Sequence, residues 1–178
     1  MEAHFSTFWY TNAKVKAMIF LGLGANLPFG PSAPAATLAA AMAALRDTGV
    51  EVAQVSPFYR CAAWPNRGDP QFVNAVARLW TQLTPENLLN ALQETESKFG
   101  RVRGSANAPR TLDLDILDFG GRVQAGPPAL PHPRMAERAF VLVPLRDLAP
   151  DWRHPIFHKT ADELISRLPP ETPMPERL

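Results

Sequence analysis

The sequence predicts an α+β fold in which a mostly antiparallel sheet carries helices on one face. Three observations lead there. Short apolar segments bounded by Gly and Pro recur along the chain and read as strands. Two segments with helical spacing and clear stop signals lie between them. The composition, 46% hydrophobic and 20% charged over 178 residues, suits one domain with a real core.

Residues 18–24 are apolar and run into Gly-Ala-Asn, so a buried strand and a turn are expected. Ser32 is placed to cap a helix reaching about Asp47, with Leu38, Met42 and Leu45 on one stripe and Gly49 as the stop. Residues 51–59 predict a second strand. Residues 60–71 are polar, punctuated by Pro and Gly, and show no period. Residues 72–83 predict a long strand, with Phe72, Asn74, Val76 and Arg78 on one face and Val73, Ala75, Ala77 and Leu79 on the other. Thr84-Pro85 opens a second helix, Thr as cap and Pro at the first position. Its core stripe is Leu88, Leu89, Leu92 and Phe99, and Gly100 ends it. Residues 101–109 are irregular, residues 111–119 predict a further strand, and a helix lies within 133–148. The order is βαββαβ plus C-terminal additions, the ferredoxin-like arrangement.

The domain is expected to span 18–165. Residues 1–17 are expected to form a disordered N-terminal extension, with Met18 as an alternative start and a signal peptide as the weaker reading. The 19 prolines concentrate in loops and in a loose tail over 166–178. A formal net charge of +1 gives no basic field for nucleic acid. The apolar stretches fall far short of the roughly 20 residues a membrane span needs. The single cysteine allows neither an internal disulfide nor a Cys-based metal cage, which fits a reducing cytoplasm.

The chemistry-bearing residues gather late in the chain. In Leu112-Asp113-Leu114-Asp115-Ile116, strand alternation puts both carboxylates on one face and the aliphatics on the other. Two like charges a pleat apart repel, and a divalent cation relieves them. Magnesium suits a pair of carboxylates completed by phosphate oxygens. A bare Asp-x-Asp reads equally as solvent-facing acids on an edge strand. Arg101, Arg103 and Arg110 lie just upstream in or beside the irregular segment, and arginine forks match phosphate oxygens. His132, between prolines, reads as a phosphate donor or as a packed loop residue. Asn74 and Phe72 share a strand face, a polar reader beside an aromatic plate, although core packing accounts for Phe72 as well.

The run Gly100-Arg101-Val102-Arg103 to Ala108-Pro109-Arg110-Thr111-Leu112-Asp113-Leu114-Asp115-Ile116 resembles the 6-hydroxymethyl-7,8-dihydropterin pyrophosphokinases, enzymes of folate synthesis. Three further segments agree in order and spacing. They are Gly22-Leu23-Gly24-Ala25-Asn26-Leu27, Phe58-Tyr59-Arg60 leading to Phe72-Val73-Asn74-Ala75, and Pro131-His132-Pro133-Arg134-Met135 leading to Arg138 and Phe140. The resemblance covers about residues 18–165. It implies the ferredoxin-like fold, ATP as co-substrate, two magnesium ions bridged by Asp113 and Asp115, and transfer of pyrophosphate to the pterin hydroxymethyl group. It further implies a catalytic set of Arg101, Arg110, Asp113 and Asp115. The pterin would lie between Phe72 and Phe140, read by Asn74 and by the main chain of Cys61, Ala62 and Trp64. ATP would meet Gln93, Glu96, Arg103, Ile116, His132 and Arg138. Cys61-Ala62-Ala63 stands where the family often has Thr-Pro-Pro. Ala106-Asn107 stands where familiar bacterial members carry Arg-Trp, and Pro127-Pro128-Ala129 where the family has Arg-x-Thr. A cytoplasmic monomer acting on small molecules is expected. The competing readings are another magnesium-dependent nucleotidyltransferase and a non-catalytic ferredoxin-like binding module.

Overall fold

The structure is a computed structural model, and it describes residues 18–63, 66, 68–102 and 108–178. The expected extension over 1–17, and the positions of Trp64, Arg103, Ala106 and Asn107, lie outside the described residues. The elements run β1 (Ile19–Ala25), α1 (Pro34–Leu45), β2 (Val50–Val55), β3 (Tyr59–Cys61), β4 (Phe72–Thr81), α2 (Pro85–Lys98), β5 (Asp113–Phe119), α3 (Ala139–Leu148), α4 (Ala161–Ile165) and β6 (Glu176–Arg177). No helix among the described residues is long and apolar enough to cross a membrane.

The sheet is antiparallel throughout, in the order β5-β1-β4-β3-β6, with β2 also pairing β4. Strands β1 and β2 flank β4 and run the same way, joined over one face by α1. Strands β4 and β5 flank β1 and are joined by α2. These two interleaved units are the ferredoxin-like core predicted from the element order.

Alternation along the strands sorts the side chains into two cores. Ile19, Leu21, Leu23, Ala75, Ala77, Leu79, Leu114 and Ile116 pack with Leu38, Leu45, Leu88 and Leu92 of α1 and α2. Phe20, Val76 and Leu117 pack on the other face with Leu142 and Leu145 of α3, Leu164 of α4, Met135 and Trp152. Helices therefore cover both faces, not the single face expected. The C-terminal additions close the second face over part of its length, leaving the end near Gly24 and Asp113 to the site.

Three local details differ from the sequence reading. Ser32 does not cap α1. It pairs with Phe29 through main-chain hydrogen bonds of 3.0 and 3.1 Å, and Pro34 opens the helix behind Ala33, which makes no side-chain cap bond. Proline at the first position has no N–H to satisfy and a φ already set for a helix, which favours the start there. The expected strand over 51–59 breaks into β2 and β3 at Ser56-Pro57-Phe58, because proline cannot donate to the ladder. Ser56 bridges the break: its N–H donates to Val76 O at 2.9 Å and its Oγ accepts from Val76 N–H at 3.0 Å. The Pro-rich C-terminal segment, expected to be loose, returns to the sheet, where Glu176 and Arg177 pair with Arg60 and Tyr59. The Thr84 cap on α2 forms as expected, its Oγ1 accepting from Asn87 N–H at 3.3 Å.

Candidate active site

Strand β1 supplies the floor of a cleft because two of its outward positions are glycines. A Cβ on Gly24 would lie 3.1 Å from Asn74 Oδ1 and 3.8 Å from both Asp113 Cβ and Phe72. A Cβ on Gly22 would lie 3.3 Å from Leu117. Alternate glycines inside an apolar strand mark such close approach, a signal the sequence reading did not use. Gly22, Gly24, Asn74, Asp113, Asp115, Leu117 and Phe140 line this cleft.

Asp113 and Asp115 stand on the same face of β5, as the alternation required. Asp113 is clamped by two arginines: Arg101 Nη1 pairs with Oδ1, and Arg110 Nη1 with Oδ2 at 3.1 Å. Asp115 is the more open of the two, its side chain 42% exposed against 24% for Asp113. His132 Nε2 lies 3.8 Å from its Oδ2 and Arg138 Nη1 lies 3.9 Å away. The protein wall around Asp115, and next the charge of Asp113, push its carboxyl above the usual range. Burial pulls His132 below the ordinary imidazole range, against the opposing pull of Asp115. His132 Nδ1 accepts from Arg134 N–H at 3.1 Å, so the neutral ring carries its proton on Nε2, facing Asp115.

Each aromatic plate has an arginine over it. Arg110 Cζ lies 5.5 Å from the Phe72 ring centroid, and Arg138 Cζ lies 5.5 Å from that of Phe140. These are cation–π distances. Asn74 is 5% exposed, and its Nδ2 donates to Cys61 Sγ at 2.9 Å. Burial pushes the Cys61 thiol up to about 11. Ala62 follows on the exposed side of β3.

Other predicted residues are placed differently. Glu96 is 5% exposed. Its Oε1 accepts from Leu114 N–H at 2.8 Å and from Arg101 Nη1 at 3.0 Å. It joins α2 to the start of β5 and holds Arg101 beside Asp113, a role the sequence reading missed. Gln93 lies with Asn90, Glu94, Ser97 and Lys98 around an open hollow on α2 that shares no residue with the cleft. The Ile116 side chain lies in the core under α1 and α2, on the face opposite the carboxylates.

The donor set can be tested against magnesium. Among the described residues no cluster of three or more His, Cys, Asp or Glu side chains could cage a metal. Two carboxylates on one face offer oxygen ligands only, leaving other positions to water and phosphate, which is how magnesium is commonly held. Arg110 Nε is buried and makes no hydrogen bond within the described residues, a spare donor beside an arginine-rich cleft. The residues fit a magnesium–phosphate group.

A ferredoxin-like sheet brings a carboxylate pair, four basic side chains and two aromatic rings together, a set that suits an enzyme handling a phosphorylated substrate beside a flat ring. Residues 20–150 match the family described as 7,8-dihydro-6-hydroxymethylpterin-pyrophosphokinase, and the chain belongs to that family. It is 40% identical over 149 residues to 2-amino-4-hydroxy-6-hydroxymethyldihydropteridine pyrophosphokinase of Synechocystis, covering 83% of this chain and 74% of the relative. It is 45% identical over 139 residues to the Pseudomonas aeruginosa enzyme of that name, covering 77% and 83%. The Methylorubrum extorquens enzyme of that name is 39% identical over 153 residues, covering 85% and 93%.

Proposed function

We infer that the chain carries out its family's reaction, transfer of pyrophosphate from ATP to 6-hydroxymethyl-7,8-dihydropterin in folate biosynthesis, in the cleft between β1, β4 and β5. The observation that carries the site is the same-face pair Asp113 and Asp115, met by Arg101 and Arg110 on one side and by His132 and Arg138 on the other.

The pterin hydroxymethyl oxygen attacks the β-phosphorus of ATP. A new P–O bond forms there, the bond from the β-phosphorus to the bridging oxygen of the α-phosphate breaks, and AMP departs with that oxygen. The hydroxyl proton passes to solvent or to a phosphate oxygen. Positioning and neutralisation of charge supply most of the acceleration in such transfers. Asp113 and Asp115 would hold two magnesium ions, which when bound neutralise the phosphate oxygens. Arg101, Arg110 and Arg138 bind and orient the triphosphate, and the Nε2 proton of His132 donates to one of its oxygens. Phe72 and Phe140 hold the pterin ring, and Asn74, fixed by Cys61, reads its edge.

Ala62 and Trp64 remain proposed pterin contacts, and Gln93, Glu96, Arg103 and Ile116 proposed ATP contacts, by resemblance. The chain is proposed to be a cytoplasmic monomer spanning residues 18–165 as its catalytic domain. Product analysis tests the function: AMP and pterin diphosphate should form together, and only with both substrates and magnesium present. Release of inorganic pyrophosphate would instead indicate nucleotidyl transfer.

A further inference from the structure

Asn26 is 3% exposed, and the two ends of its amide are spent on two different segments. Oδ1 accepts from Arg110 N–H at 2.7 Å, and Nδ2 donates to Pro70 O at 3.0 Å. The main chain adds to this, since Asn26 N–H and Leu27 N–H both donate to Arg110 O, at 3.0 and 3.1 Å. The corner after β1 therefore takes both the donor and the acceptor of the Arg110 peptide units. From Arg110 the chain leads directly to Asp113, and from Pro70 it leads to Phe72 and Asn74.

We propose that Asn26 is a positioning residue that ties the phosphate-side arginine to the pterin-side strand. It thereby sets where the Arg110 guanidinium lies between Phe72 and Asp113. The proposal rests on the site reading above. The side chain has to be an asparagine for a physical reason. The contact needs one donor and one acceptor at fixed separation on a short stem. Aspartate supplies only acceptors, and an apolar residue would leave the part-buried Arg110 N–H and Pro70 O without the partner each has here. The Arg110 fork can meet Asp113 Oδ2 at 3.1 Å and the Phe72 ring at 5.5 Å only if its backbone is held, and the Asn26 corner holds it.

The test combines amide hydrogen exchange with kinetics on the full chain. In Asn26→Ala, the Arg110 amide should lose protection while Leu21 and Ala77 in the sheet keep theirs. Its kcat should fall about 100-fold, the scale of a small misplacement of a catalytic group. The kcat of the double variant Asn26→Ala/Arg110→Ala should be no lower than that of Arg110→Ala alone, because toward kcat the two residues act as one unit, while its pterin KM still rises through the lost bond to Pro70. Asn26→Asp keeps the acceptor for Arg110 N–H but loses the donor to Pro70 O. Its main defect should be a pterin KM raised about tenfold, the scale of one lost hydrogen bond. Wild-type kcat in a folded Asn26→Ala protein, kcat losses that multiply in the double variant, or loss of protection throughout the sheet would each overturn the positioning role. Loss of Arg110 protection in an Asn26→Ala protein whose parent forms no pterin-dependent AMP would uphold the tie and overturn the activity reading instead.

Discussion

Arg110 lies across the face of Phe72, its Cζ 5.5 Å from the ring centroid, and the same guanidinium reaches Asp113 Oδ2 at 3.1 Å. One side chain thus reaches both the ring proposed to meet the pterin and the carboxylate proposed to hold metal. Arg138 repeats the relationship with Phe140 and Asp115 on the other side. Arg110→Ala should lower kcat by about 100- to 1000-fold, the range for losing one donor at a developing negative charge. Arg110→Lys should recover little of it, because an ammonium cannot act as a planar fork that also stacks on the ring. Steady-state kinetics with both substrates measure this, and near-complete rescue by lysine would contradict it.

Glu96 is predicted to matter for stability as well as rate. Its carboxylate answers a buried main-chain N–H and an arginine at once. Glu96→Ala should cost about 3 kcal/mol in urea unfolding, because the buried Leu114 N–H loses its partner and Arg101 loses one of its two carboxylates. Glu96→Gln should cost less, since its amide oxygen still accepts from Leu114 N–H. Equal losses in the two variants would show that the hydrogen bond to Leu114 contributes nothing.

Cys61 should be a sluggish nucleophile. With its thiol pushed up to about 11, little thiolate exists at pH 8. Alkylation by iodoacetamide should run roughly 100-fold slower than for a free thiol, and urea should restore the ordinary rate. A fast reaction in the folded protein would contradict the burial of Cys61 as described.

His154 links stability to pH. It is 3% exposed, and its Nδ1 accepts from the N–H groups of Ile156 and Phe157 at 3.2 and 3.3 Å. Burial lowers its pKa below the usual value. Below about pH 6.5, the unfolded imidazole takes up a proton that the folded one resists. Its contribution is therefore complete above that pH and declines as the pH falls toward the folded value. His132 is shifted the same way, whereas Asp115 and Glu96 are shifted upward and act in the opposite sense. The difference in unfolding free energy between wild type and His154→Asn isolates the His154 term. It should shrink from pH 7 to pH 5.5, and a difference that grows over that interval would contradict the assignment.

Much of this was legible in the sequence because strand periodicity is strict. The alternation in Leu112-Asp113-Leu114-Asp115 places two acids on one face whatever the surrounding fold, and the Thr84-Pro85 start of α2 is a local matter. Where Pro34 replaced the Ser32 cap, and where Pro57 split the second strand, the proline signals were present but were outweighed by neighbouring residues. The covering of the second sheet face was not legible, since Trp152 and Leu164 reveal their partners only in three dimensions. Glu96 shows why residue type alone misleads. The resemblance places it beside ATP, but its burial, with Leu114 N–H of β5 donating to it across the packing interface, depends on a strand 18 residues away that no local pattern reveals.

The central claim is that Asp113 and Asp115 form the metal-holding pair of a pyrophosphoryl transfer, and pterin-dependent AMP formation by Asp115→Ala tests it most directly. The pair has no third carboxylate in reserve among the described residues, so turnover at saturating magnesium should fall by at least about 100-fold while the fold, monitored by unfolding midpoint, persists. Undiminished AMP formation by Asp115→Ala would contradict the account.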